Sequence, residues 1–162
     1  MSAAETATRD LIEATLSDNP AYRKLDDRLY IVKQGSTFVM INIVNLTDGR
    51  SQVRCVAQLV KGVTMTESLA VDLLKLNTKL RFGAFAYEEN GRLILFVHSI
   101  LGGETLDREE LIATVSDVAL LADEYDDKII EKHGGQTMKD LLEEAALESL
   151  VANSDVDAFP KA

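Results

Sequence analysis

The sequence is short of the residues that staple or punctuate a fold: among 162 residues there are one Cys, two Pro, two His, no Trp, and 17 bases against 27 acids. A lone Cys55 excludes an internal disulfide, so stability must come from a buried core, which a chain of this length can supply. It also favours a reducing, cytoplasmic setting, because small proteins of oxidising compartments usually pair their cysteines. The shortage of bases, a net charge of −10, excludes a dedicated binder of DNA, RNA or anionic lipid, since each phosphate contact needs a cation. No apolar run approaches about 18 residues, so no membrane-spanning helix is expected. Met1–Leu16 carries three acids and one base without an apolar run of signal-peptide length, so no leader is expected either.

What is present is unevenly placed. Residues 1–103 hold 12 bases and 11 acids, whereas residues 104–162 hold 5 bases and 16 acids. The acidic third reads as helix and the near-neutral part holds the alternating, β-branched segments. No Pro-, Gly- or Ser-rich linker marks the step. The expectation is therefore one α+β domain over residues 1–151, with 137–151 as an added C-terminal helix and 152–162 as a flexible tail.

The element order expected is α-β-β-β-α-β-β-α-α. A first helix over Ala3–Ser17 opens with Ser2 and Glu5 at capping-box spacing and stops at Asn19-Pro20. Strands over Arg28–Lys33, Thr37–Asn45 and Ser51–Val60 are joined by Gly-containing turns, so they should be antiparallel neighbours. A second helix over Met65–Leu76, opened by Thr64 and Glu67, is apolar over an arc of about 240°. Either both its sides pack inside the domain or one side meets a second subunit. A hairpin of Leu80–Tyr87 and Arg92–Ile100 surrounds Asn90-Gly91, a pair that favours a tight turn with both residues at positive φ. Asp107 caps a long helix over Arg108–His133, with Leu111, Val115, Val118, Ala122, Tyr125 and Ile129 as its inward stripe. Gly134-Gly135 ends it, and Thr137 caps the last helix. The fold expected is an antiparallel sheet of about five strands packed with helices.

A sheet with one face in water should alternate apolar with polar, and these strands do so imperfectly. Taking strand parity alone, Val53, Cys55, Ala57 and Leu59 fall on one face. Arg54, Val56, Gln58, Arg81, Phe85, Tyr87, Phe96 and His98 form a mixed second face. Three readings stand for it: cover by a helix within the monomer, a dimer contact, or a groove for a peptide or protein partner.

Nothing in the sequence builds an active site. Cys55 falls on the apolar strand face, where a thiol is inert packing. His98 sits on a strand beside Phe96, and His133 at a helix C-terminus, where a positive charge suits the helix dipole. Asp123, Glu124, Asp126 and Asp127 point around a helix rather than toward one ion, and no zinc or calcium motif appears. Gly102-Gly103 lacks the Lys of a phosphate loop, and no nucleophile elbow or dinucleotide fingerprint is present. No catalytic residue, metal or cofactor is expected.

The stretch Asn77, Arg81-Phe82-Gly83-Ala84-Phe85, the Asn90-Gly91 turn, Leu93–Ile100, the Leu106–Leu111 helix start and Leu121-Ala122-Asp123-Glu124-Tyr125-Asp126 resembles the YbjN-like family. That family shares the fold of type III secretion chaperones of the CesT and SycE kind, and the likeness covers about residues 8–134. It implies a bacterial, non-enzymatic, chaperone-like or adaptor protein, often a homodimer, that binds a segment of another protein, with a role in stress or sensory regulation. It also implies that the second helix builds the dimer contact, with Leu69, Ala70, Leu73 and Leu74 as its residues. The helix after Thr137 departs from the secretion chaperones. The alternative is a small-molecule sensor or cryptic enzyme with a pocket between the sheet and the long helix, around His98.

Overall fold

A computed structural model describes residues 2–142 and 157–161. α1 (Ala3–Leu16) is followed by β1 (Tyr22–Lys24), β2 (Leu29–Gln34), β3 (Thr37–Asn45) and β4 (Ser51–Lys61). Then come α2 (Glu67–Asn77), β5 (Ala84–Glu88), β6 (Leu93–Leu101), α3 (Arg108–His133), β7 (Gln136–Thr137) and α4 (Met138–Leu142). The fold is α+β, and its strands form one antiparallel sheet in the order β1-β2-β3-β4-β6-β5, with β7 paired to β4. Among the described residues seven strands replace the five or so expected. β1 and β7 are three and two residues long, too short to leave an alternating pattern in the sequence.

The helix starts follow local capping chemistry. Ser2 Oγ accepts from Glu5 N, and Asp107 Oδ1 accepts from Glu110 N at 2.8 Å. For α2 the cap is Thr66, whose hydroxyl accepts from Leu69 N, rather than Thr64. α3 buries Leu111, Val115, Val118, Ala122 and Ile129 of the stripe expected of it, with Tyr125 partly buried against the same core, together with Thr114, Ala119 and Asp126. Thr137 and Asp140 cap α4 reciprocally, each side chain accepting from the other's backbone N–H. The part of the C-terminal helix expected beyond Leu142 lies outside the described residues.

Register decides which residues share a face. Cys55 lies opposite His98, Ala57 opposite Phe96, and Phe96 opposite Phe85. Directly paired residues point to one side of a sheet, so odd positions of β4 join even positions of β6. This face carries Tyr30, Val32, Val39, Ile41, Val53, Cys55, Ala57, Phe85, Ile94 and Phe96, all buried in one core with residues of α1, α2 and α3. A β-bulge between Gln58 and Val60 lets Leu59 and Val60 both reach that core. The opposite face carries a smaller cluster in which Ile31 and Phe38 pack with Met138 of α4.

The second hairpin differs from its expectation. Its loop is Glu89–Arg92, and the residue at positive φ is Arg92 (52°), not Asn90 or Gly91. Glu88 explains this: its carboxylate accepts from the N–H groups of both Asn90 and Gly91, which stabilises a right-handed turn there. β5 begins at Ala84 rather than Leu80, because Gly83 takes a φ of 71°, and the chain before it is irregular. Asn77 then covers part of the open edge of β5, accepting from Phe85 N at 2.7 Å and donating to Phe85 O.

Residues 157–161 are docked, so the loose tail expected from residue 152 does not describe them; residues 152–156 lie outside the described residues. Ala158 N donates to Lys33 O, and the buried side chain of Gln34 both accepts from Phe159 N and donates to Phe159 O.

Candidate partner-binding surfaces

The residues singled out for partner binding divide between the two sheet faces. Phe85, Tyr87, Phe96 and His98 stand on the helix-covered face, and Arg54, Val56 and Gln58 on the other. This corrects the single mixed face read from strand parity. Phe85 and Phe96 are buried and meet edge to face at 5.1 Å, with Tyr125 of α3 against Phe85 at 5.4 Å. They are core residues of the protomer. Arg81 is exposed in the segment before β5 and lines a cleft of about 450 Å³ with Phe82, Asp117 and Glu124.

His98 lies partly buried beneath the exposed ring of Phe82, stacked at 5.5 Å. Burial lowers its pKa, opposed by the acids Asp117 and Glu110. Its Nδ1 has no hydrogen-bond partner among the described residues, and its direct partner on β4 is Cys55. Cys55 is fully buried, and desolvation pushes its thiol up to about 12, which leaves it unreactive. Among the described residues no group of three or more His, Cys, Asp and Glu could hold a metal ion.

The face opposite α1, α2 and α3, on which α4 packs only at the Ile31–Phe38 end, presents an apolar row that crosses the sheet. Ile31, Met40, Val56, Val97 and Ala84 are successive direct partners on β2, β3, β4, β6 and β5. Ile31 is buried at one end, and Met40, Val56, Val97 and Ala84 are half-buried. Beside it runs a second row of Leu29, Asn42, Arg54 and Ser99. Arg54 and Gln58 flank Val56 on its own strand, so an apolar row lies among groups able to hydrogen-bond a main chain.

α2 offers a different surface. Leu69 and Leu73 are buried in the protomer's own core, which removes them from any dimer contact. Ala70 is half-buried, while Val71 and Leu74 are 39% and 65% exposed. The wide apolar arc is thus split, with one side in the core and one side out. On its other flank α2 faces α3 across a groove of about 320 Å³. Leu69, Leu73, Leu76, Tyr125 and Ile129 line its apolar floor, and Lys75, Lys79, Lys128, Lys132 and His133 surround it with Asp72. Sequence reading missed this groove, because its lysines lie about 50 residues apart in the chain and only the packing of α2 on α3 unites them.

Residues 4–141 match the family described as the type III secretion system (YopN, CesT) and YbjN peptide-binding chaperone 1, TY-Chap1. The chain belongs to this family. Among solved structures it is similar to a chain in the crystal structure of the ExsC–ExsE complex, with a TM-score of 0.58 at 18% identity, covering 78% of this chain and 96% of that one. At that identity the likeness shows a shared fold, the type III secretion chaperone fold. No curated protein matches the chain. The family and the fold together support a peptide- or protein-binding, chaperone-like role. No described helix is long and apolar enough to cross a membrane.

Proposed function

We propose that this protein is a cytoplasmic, non-enzymatic chaperone that holds an extended segment of another protein against the open face of its sheet. The observation that carries the reading is the apolar row Met40–Val56–Val97–Ala84, half-exposed and flanked by Arg54 and Gln58. An extended ligand with alternating apolar residues would bury every second side chain on that row. Its main chain would meet the flanking Arg and amide groups, which fix register more than they add affinity. The name of the ExsC–ExsE complex, a structure with the same fold, describes a two-protein assembly, which agrees with a protein partner. A role in stress or sensory regulation would then act by holding that partner.

Oligomerisation belongs to the same reading. The outer side of α2, with Ala70, Val71 and Leu74, would pair two copies, leaving the Val56–Val97 face of each copy free.

The test uses the intact protein. Partners captured from the native cell are identified, the bound segment is made as a peptide, and its affinity is measured for wild type and for Val56→Glu with Val97→Glu. The expected result is a loss of about tenfold or more with unchanged melting temperature. Equal affinity in the folded double variant would remove the sheet face as the site.

A further inference from the structure

The groove between α2 and α3 is a local reversal of charge. The chain as a whole is −10, yet four lysines and His133 converge here around an apolar floor, against Asp72 alone among the lining acids. Asp72 is engaged by Lys132 at 2.6 Å and by His133 at 3.1 Å, and Glu124 engages Lys128 at 2.6 Å. Lys75 and Lys79 have no ion pair among the described residues. Helix-dipole stabilisation would account for cations in the last turn of either helix taken separately. It does not account for cations on both walls of one apolar cleft.

From this we infer that the groove is a second recognition site, which takes an amphipathic helix of a partner protein whose apolar stripe is flanked on both sides by Asp or Glu. Cations on both walls favour a helix over an extended strand, because a helix carries side chains on both flanks of an apolar stripe whereas a strand sends alternate side chains to opposite faces. Lys128 and Lys132 are four residues apart on α3, about one helical turn, and Lys75 on α2 lines the other wall with Lys79, just past the helix end at Asn77. A third helix laid between α2 and α3 would seat apolar residues on the half-buried Leu76 and Tyr125, over the buried Leu73 and Ile129, and its carboxylates would reach both lysine pairs. Burial supplies the affinity, and charge selects the partner and speeds its approach.

The site is independent of the sheet-face reading, and its test keeps the two apart. The probe is a fluorescein-labelled peptide of about 14 residues, with Leu in helical spacing and Glu on both flanks, titrated against the full chain by anisotropy. The same peptide with Lys for Glu is the control. The Glu peptide should bind and the Lys peptide should not, and Lys75→Glu with Lys79→Glu should weaken binding at least about tenfold. Raising salt from about 50 to about 300 mM should weaken it further. Lys75 and Lys79 are exposed, so the variant keeps its fold. The inference is overturned if the Glu peptide does not bind, if the Lys peptide binds as well, or if the double variant is unchanged. It is equally overturned if Val56→Glu abolishes binding, which would assign the probe to the sheet face, or if the peptide competes with self-association, which would make the groove a contact between copies.

Discussion

Glu5 has a chemistry that its place in the first turn of α1 does not suggest. Rather than closing a capping box on Ser2, its fully buried carboxylate crosses to the sheet, where Arg28 donates through Nε at 2.5 Å and Nη2 at 3.1 Å and Asn45 donates at 2.7 Å. The hydrogen bond from Arg28, then that from Asn45, holds its pKa down at about 2, against the desolvation that would raise it. A carboxyl whose folded pKa is depressed stabilises the fold above its unfolded pKa and loses that contribution as pH falls through the folded value. The acid loss should therefore span about pH 4.5 to about 2. Glu5→Gln should lower the urea midpoint at neutral pH and flatten its fall toward pH 3, and an unchanged pH profile would count against the role. Phe96 is the counterpart in the core. As a fully buried ring against Phe85, its change to Ala should cost about 3–5 kcal/mol in urea denaturation. Any loss of partner binding in that variant would reflect unfolding, not a missing anchor.

Among elements, α1 is tied to the β6–α3 connection through Thr8. Thr8 Oγ1 donates to Ala4 O, accepts from Gly103 N at 2.7 Å and lies 2.6 Å from Ser51 Oγ. A Cβ on Gly102 would stand 2.4 Å from Thr8 Oγ1 and 2.5 Å from Ser51 Oγ. Gly102→Ala should therefore push α1 off β4 and destabilise the protein by about 1–3 kcal/mol, visible as a lower melting temperature. The pair Gly102-Gly103 reads in sequence only as a break before a helix. The helices themselves were largely legible, because capping and a 3.6-residue apolar period are local: the Asp107 cap and the Leu111–Ile129 stripe both stand as expected. The short strands and the bulge at Leu59 leave no such period.

For the whole molecule the open question of assembly rests on α2. A Leu that is 65% exposed beside a Val that is 39% exposed is ordinary for one residue but forms a patch on a helix whose opposite side is core. Light scattering at micromolar concentration should give about twice the chain mass of 17.8 kDa, and Leu74→Glu should return it to one chain mass with the fold intact. A single chain mass for wild type would remove the dimer. Lys161 pairs with Asp123 at 2.8 Å and Gly35 N donates to Asp157 at 2.8 Å, so the C-terminal residues close onto the β2–β3 turn and α3.

The sequence by itself determined the α+β class, the antiparallel hairpins, the bounds of α3 and the start of α1, and the absence of paired cysteines, because each depends on composition or on residues within a few positions of one another. Only the tertiary structure decided which strand faces coincide. A strand's alternation says which of its residues point together, but not which side of the neighbouring strand they join, since that is set by pairing across long stretches of chain. The pairing of Cys55 with His98 sends Phe85 and Phe96 to the core and leaves Val56 outside. In the same way α2 and α3 come side by side on one face of the sheet, and lysines unremarkable in sequence come to line one groove.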